Sequence, residues 1–148
     1  MTVGHLLDLF IINQIRKDKL RDTIGSDVRV DLNRQDGHLL KEIGKMLVDV
    51  ANGRRPGFFA KHKNYDKGIG ETHDDNLIEV IYKLYNRHKE LWDLEDIRRD
   101  KTNTDKTRLE AADRVSIANK KRNDLVEMID VIVNRRLKDV KLWGSLVE

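Results

Sequence analysis

The sequence predicts an all-α fold, an antiparallel bundle of about four main helices with a long C-terminal helical hairpin and a short amphipathic tail. Apolar residues recur at helical spacing within residues 3–22, 37–52, 76–100 and 105–137. Charged residues make up 37% of the chain and aromatic residues only 5%, a balance that suits helices with solvated outer faces. One proline leaves few obligatory breaks. At 148 residues the chain is expected to form a single helical domain.

The first helix, predicted over residues 3–22, is apolar on nearly every side. Leu6, Leu9 and Phe10 lie on one face together with Asn13. Further apolar residues extend this surface around the helix, namely Leu7, Ile11, Ile12 and Ile15. A helix of this kind is usually buried, either in the centre of a bundle or between subunits. Both interpretations stay open from the sequence.

The second helix is expected over residues 37–52, with Asp36 as its N-cap and Gly53 at the left-handed position after its end. The preceding residues 28–32, VRVDL, alternate between apolar and polar side chains. Since no strand partner is evident elsewhere, we interpret them as irregular.

The third and fourth helices are expected to be antiparallel neighbours because only the short polar link 101–104 separates them. Thr72 is the predicted N-cap of the third helix, with Asp75 as its capping-box partner. Thr104 or Asp105 is expected to cap the fourth. The amphipathic tail is predicted to dock onto the bundle or another subunit through Leu142, Trp143, Leu146 and Val147.

Polar and charged residues interrupt the apolar stripes of the hairpin at mid-length. A helical wheel places them on or beside the inner faces. We expect Glu95 to pair with Arg122, and Asp130 with His88 or Arg99. Such a buried layer persists only if it is paired, hydrated or bound to a ligand. It is therefore either an internal network that fixes helix register or a polar cleft for a small ligand. The candidate polar site comprises His88, Glu95, Asp96, Arg99, Asn119, Arg122, Asn123, Glu127 and Asp130.

Three carboxylates of this layer are candidate metal ligands, namely Glu95, Glu127 and Asp130. Mg²⁺ or Mn²⁺ accepts such oxygen ligands, and helical bundles hold carboxylate metal sites. The arrangement resembles, in outline, the all-helical nucleotide pyrophosphohydrolases, which pair an E-x-x-E stretch with a later E-x-x-D. The upstream candidates Glu90 and Asp93 point to the outer face, so the E-x-x-E half is missing. No cofactor is indicated more firmly than this.

The hairpin also resembles a family of bacterial helical domains of unknown function. The family pattern has Asn…Leu-Trp…Glu-Asp…Arg and then Asn…Arg-Asn-Asp…Glu…Ile-Asp, with a histidine after the tryptophan where this chain has Asp93. The resemblance supports the helical fold and singles out the polar layer as a candidate site. It implies no enzymatic reaction. The matching residues are Asn86, Leu91, Trp92, Glu95, Asp96, Arg99, Asn119, Arg122, Asn123, Asp124, Glu127, Ile129 and Asp130.

Residues 53–70 form the one extended loop that the sequence predicts, with five basic side chains against one acidic. Three aromatic rings interleave with them, so the loop can bind phosphates while rings stack on bases. The bland interpretation, an ordinary solvated loop pinned by its phenylalanines, is favoured, with a site for a phosphorylated small molecule and a nucleic-acid contact as the alternatives. The candidate phosphate-binding residues are Arg54, Arg55, Lys61 and Lys63.

Several classes of function are disfavoured by what the chain lacks. It has no cysteine, hence no disulfide or thiolate metal site. No nucleotide-binding loop, zinc-protease or serine-hydrolase motif is present. No stretch reaches the length of about 18 apolar residues that spans a bilayer, and the N-terminus lacks the features of a signal peptide. A cytoplasmic protein without membrane contact is expected.

The function that the sequence favours is non-enzymatic association, as a subunit, adaptor or regulator with a buried polar network. A homo-oligomer or a protein partner is the expected assembly. The first alternative is a metal-dependent nucleotide or phosphate-ester hydrolase that uses the hairpin carboxylates. A further alternative is nucleic-acid binding through residues 53–70.

Overall fold

The computed structural model describes residues 1–54 and 76–147, and residues 138–147 as backbone. These ranges contain no strand, which confirms the predicted all-α class. The four helices, in chain order, are α1 (Val3–Lys19), α2 (Ser26–Ala51), α3 (Leu77–Arg99) and α4 (Asp105–Val147).

Helix α1 contacts each of the other three helices, as α4 also does. Its N-cap is Thr2, whose hydroxyl accepts from the backbone N–H of His5 at 3.2 Å. Ile11 and Ile15 are buried in the main apolar cluster. This arrangement agrees with the central-core interpretation of a helix that is apolar on nearly every side. Leu9 departs from it, because 40% of its surface remains exposed.

Helix α2 begins eleven residues earlier than the sequence predicts, and the irregular interpretation of residues 28–32 is wrong. Val28 and Val30 are exposed on the helix surface. Their alternation with charged neighbours therefore does not mark a buried strand face. Asp36 lies inside α2 and is not its N-cap. The end of the helix is as predicted, since Gly53 adopts a φ of 70° after the C-cap Asn52.

The hairpin of α3 and α4 forms as predicted and makes the most extensive helix pair of the molecule. Asn76 caps α3, and its side chain accepts from the backbone N–H groups of Ile78 and Glu79. The caps predicted at Thr72 and Asp75 lie outside the described residues.

The connection between these helices is tightened by side-chain hydrogen bonds. Asp100 accepts from the backbone N–H of Thr102 at 2.9 Å and from its hydroxyl at 2.7 Å. The hydroxyl of Thr104 accepts from the N–H of Thr107 at 3.2 Å, which makes Thr104 the cap of α4. Helix α4 then runs for 43 residues, so the predicted tail continues it. The contacts predicted for the tail side chains lie outside what the structure describes.

The hairpin buries two apolar clusters, one at each end of its contact. The larger, which includes Leu84, Leu125 and Ile129, also takes in residues of α1. The smaller lies near the turn and comprises Leu91, Leu94, Val115 and Ala118. A third cluster joins α1 to α2 through Val3, Leu6, Ile43 and Met46.

Within the described residues, no helix combines the length and the apolar content that crossing a membrane requires.

Candidate functional site

Three aspartates of the described residues are buried in the bundle, and each lies where α1 meets a different helix. Asp8 of α1 faces α3, Asp36 of α2 faces α1, and Asp130 of α4 faces the N-terminus of α1. Buried carboxylates are costly unless hydrogen bonds or opposite charges compensate them. The partners of each carboxylate therefore decide whether it is structural or free for chemistry.

Asp130 binds the N-terminus of α1. Its Oδ1 accepts from the backbone N–H of Gly4 at 2.7 Å, and its Oδ2 accepts from the hydroxyl of Thr2 at 2.6 Å. Burial raises the pKa of the Asp130 carboxyl above its ordinary value, although both hydrogen bonds act to lower it. The carboxylate thus occupies the place where a helix N-terminus favours negative charge.

Gly4 is required by the close approach of α1 and α4. A Cβ atom at this position would lie 2.4 Å from the backbone oxygen of Val126 and 2.9 Å from Oδ2 of Asp130. No side chain fits into this space. The absence of a side chain therefore lets the Asp130 carboxylate reach the backbone of α1.

Asp8 and His88 form the joint between α1 and α3. Nε2 of His88 lies 2.5 Å from Oδ1 of Asp8, and both residues are buried. Of the polar-layer candidates on α3, His88 is the one whose side chain is buried. Its partner comes from α1, so the prediction that it pairs with Asp130 is wrong.

Asp36 forms the joint between α2 and α1. It accepts from the side-chain amides of Asn13 at 3.2 Å and Gln14 at 2.8 Å, and it is paired with the ammonium group of Lys17. Asn13 also donates to Gln35. The carboxylate is therefore saturated by three donors on one face of α1.

The structure does not bring together the predicted nine-residue layer. Glu95 is half-buried but pairs within α3, with Arg98 at 2.6 Å and Arg99 at 3.5 Å. The predicted pair of Glu95 with Arg122 does not form. Glu95 instead binds arginines three and four positions along its own helix, which are its near neighbours on the helix surface. Three other candidates are exposed, so the prediction that they belong to a buried layer is wrong: Asp96, Arg99 and Asn123.

The remaining members of the predicted layer are half-buried on α4. Arg122 lies between the two apolar clusters of the hairpin and donates to Asn123 of its own helix at 3.0 Å. Asn119 and Glu127 are also partly buried, and the charge of Glu127 contributes to the raised pKa of Asp130. The polar interruption of the apolar stripe is therefore real, but Arg122 binds within α4 and Asp130 binds α1.

The predicted metal candidates Glu95, Glu127 and Asp130 do not form a metal site. Among the residues that the structure describes, no group of three or more histidine or carboxylate side chains is arranged so that it can hold a metal ion. Asp130 is hydrogen-bonded to α1, and Glu95 forms salt bridges with arginines of α3. The described residues therefore do not gather these three carboxylates around one ion.

Of the predicted phosphate-binding residues, Arg54 alone lies in the described part of the chain. It is exposed, and its guanidinium is 3.6 Å from Asp49. The other three, Arg55, Lys61 and Lys63, lie outside the described residues.

Sequence reasoning missed Asp8 and Asp36 as buried groups. The sequence does contain a signal for Asp8. An aspartate inside the apolar run LLDLFII must either be buried with a partner or interrupt the apolar surface. The prediction of Asp36 as an N-cap places it at a helix end, whereas it lies buried inside α2. The contacts of Thr2 and Gly4 with Asp130 span 126 or more positions in sequence and left no local signal.

Residues 78–145 match a family model described as a protein of unknown function (DUF4254). The match covers nearly all of α3 and α4 and confirms the resemblance of the hairpin to a helical domain of unknown function. Neither the curated proteins nor the solved structures contain a match to this chain. The family match therefore supports the hairpin as a helical unit of that family model and indicates no enzymatic reaction.

Proposed function

We propose that this protein works by association, with a second copy of the chain as its partner, and that the buried aspartates fix the register of the bundle. The three carboxylates support this assignment because each is engaged by donors within the bundle. None is left at the surface as an acid or base for a substrate. A second feature that supports association is an exposed surface on the outer side of α2.

A stripe of exposed apolar residues and glycines on the outer side of α2 supports this association. Arg34 and Lys41 border it on one side, and it is formed by Val30, Gly37, Leu40, Gly44 and Val48. These positions follow each other by three, four or seven residues and so share one side of the helix. Leu40 is 52% exposed and the two valines are each 54% exposed. A Cβ atom at either glycine would meet no atom within 4 Å. The stripe is therefore an open apolar surface in a chain of which 37% is charged.

This α2 stripe suits a two-fold symmetric contact. Leu40 projects between Gly37 and Gly44, which lie three positions before it and four after it. When two such helices pack antiparallel, Leu40 of each copy enters the space that the glycines of the other leave open. A helix of 26 residues is about 39 Å long, enough to form the centre of a dimer interface.

The test is the oligomeric state of the full chain, measured by sedimentation and light scattering over a range of concentrations. We expect a dimer for the wild type and a folded monomer for the double variant Leu40→Glu with Val48→Glu, because two charges at the contact oppose association. Ile117→Glu is the matched control, since Ile117 is similarly exposed on α4, and it should remain dimeric. A monomeric wild type at high concentration would overturn the proposal, as would a double variant that still dimerises.

A further inference from the structure

A groove of about 610 Å³ lies between α1 and α2 and is open to solvent. Apolar side chains of both helices line it, namely Leu9, Ile12 and Leu39. Its size falls within the range of small-molecule sites, roughly 300–1,000 Å³. Gln35, His38 and Leu39 of the groove lie on a different side of α2 from the stripe around Leu40, by the 100° rotation per residue of an α-helix, and Arg34 lies at the border between the two surfaces. The apolar floor of the groove is therefore separate from the proposed dimer contact.

The groove has an apolar end and a basic end. Helices α1 and α2 are antiparallel here, since Leu6 packs near Ile43 while Asn13 binds Gln35. Leu9 of α1 accordingly lies opposite Leu39 of α2. Further along, Arg16 of α1 lies towards Arg34 of α2, and both arginines line the groove. The seven residues from Leu9 to Arg16 separate the two ends by about 10 Å along the helix axis.

The positive charge of the groove is not neutralised by its surroundings. None of its lining residues is acidic, and His38 adds a third basic side chain. Within the described chain Arg16 has no acidic partner, and Arg34 has only the exposed Asp31 at 3.7 Å. Asp36, the acid nearest in sequence to the lining, turns inward and is saturated by donors from α1.

We propose that the α1–α2 groove binds an anionic amphiphile, with its hydrocarbon chain over Leu9, Ile12 and Leu39 and its carboxylate or phosphate between Arg16 and Arg34. Guanidinium groups bind both kinds of head through paired N–H donors. Burial of the hydrocarbon chain on the apolar floor supplies the remaining affinity. This proposal does not depend on the association proposed above.

The experiment is isothermal titration of the full chain with decanoate and with decyl phosphate, each below the concentration at which it forms micelles. Both anions should bind, and the stronger of the two identifies the preferred head. The double variant Arg16→Ala with Arg34→Ala should bind about tenfold more weakly or worse, since it loses the charge-assisted hydrogen bonds from both guanidinium groups to the head. The matched control Arg21→Ala with Arg114→Ala removes two exposed arginines elsewhere and should bind like the wild type.

Two further ligands make the test selective. Decyltrimethylammonium has the same chain with a positive head and should not bind, and an acidic amphipathic peptide should not displace decanoate. The proposal fails if neither anion binds, if the cation binds equally well, or if the loss of Arg16 and Arg34 has no effect. It also fails if the peptide binds where decanoate does not, because the groove would then be a protein-docking surface. The variant Leu40→Glu with Val48→Glu should keep amphiphile binding, which separates this result from that of the dimer test.

Discussion

The carboxylate of Asp130, on α4, accepts a hydrogen bond from the backbone N–H of Gly4 at the first turn of α1. A residue near the end of the chain thus completes the capping of a helix at its beginning. Thr2 is the N-cap of the same turn, and its hydroxyl also donates a hydrogen bond to Asp130. The N-terminus of α1 is therefore fixed to α4 by a cap shared between two distant segments.

This shared cap predicts a pH dependence of stability. Burial raises the pKa of Asp130 in the folded state, so the folded protein favours the protonated carboxyl more than the unfolded chain does. The resulting stabilisation is fully present below the unfolded pKa and is lost as pH rises through the folded value. Asp130→Asn cannot ionise, yet its amide can accept from Gly4 and donate to Thr2.

The free energy of unfolding should therefore fall for the wild type relative to Asp130→Asn as pH rises from below the ordinary aspartate value of 3.8. Urea unfolding of both proteins at matched pH values measures this difference. A difference that stays constant with pH, or that moves in favour of the wild type as pH rises, would contradict the assignment.

Gly4→Ala should destabilise the protein, although alanine is normally the better helix former. The new methyl group would meet the backbone oxygen of Val126 at 2.4 Å, and a backbone atom cannot rotate away. Overpacking of this kind costs about 1–3 kcal/mol, which exceeds the gain of up to about 1 kcal/mol in helix propensity. Thermal or urea unfolding measures the net effect.

Gly44→Ala is the control, studied at a dilution where the chain is monomeric. It has open space around its Cβ position and should be neutral or stabilising. If both alanine variants gained stability equally, the close approach at Gly4 would not exist in solution.

The pair Asp8–His88 should show strong energetic coupling. Each group is buried with the other as its partner, so the loss of either leaves a polar group without compensation. In a double-mutant cycle with Asp8→Ala and His88→Ala we expect a coupling free energy of about 1–3 kcal/mol. The exposed pair Lys19–Asp93 is the comparison and should give less than about 1 kcal/mol. Equal couplings would show that burial does not strengthen the first pair.

The sequence predicted the helices well wherever burial imposed a periodic pattern. The stripes of α3 and α4 are long, and the polar link between them is short, so the hairpin follows from spacing alone. The start of α2 was missed because Val28 and Val30 are exposed. Of residues 28–32 only Leu32 is buried, and one buried position does not produce a helical period.

The candidate site was harder to predict because α3 packs against two helices at once. A helical wheel drawn for a hairpin assumes that the inner residues of α3 face α4. His88 instead meets Asp8 of α1, and Glu95 pairs with Arg98 beside it. The choice between a neighbour on the same helix and a partner on another depends on packing geometry that no residue spacing specifies.

Asp36→Ala tests whether the joint between α1 and α2 depends on one carboxylate. Its removal leaves the amides of Asn13 and Gln14 and the ammonium group of Lys17 without their shared acceptor. Unpaired donors of this kind cost about 1–3 kcal/mol, and Lys17 is only partly exposed, so water replaces the acceptor poorly. Asp31→Ala, on the exposed side of the same helix, should change stability by no more than about 0.5 kcal/mol. Chemical unfolding compares the two variants directly. Equal effects would mean that the buried cluster contributes no more than a surface charge, because the two substitutions remove the same side chain from the same helix.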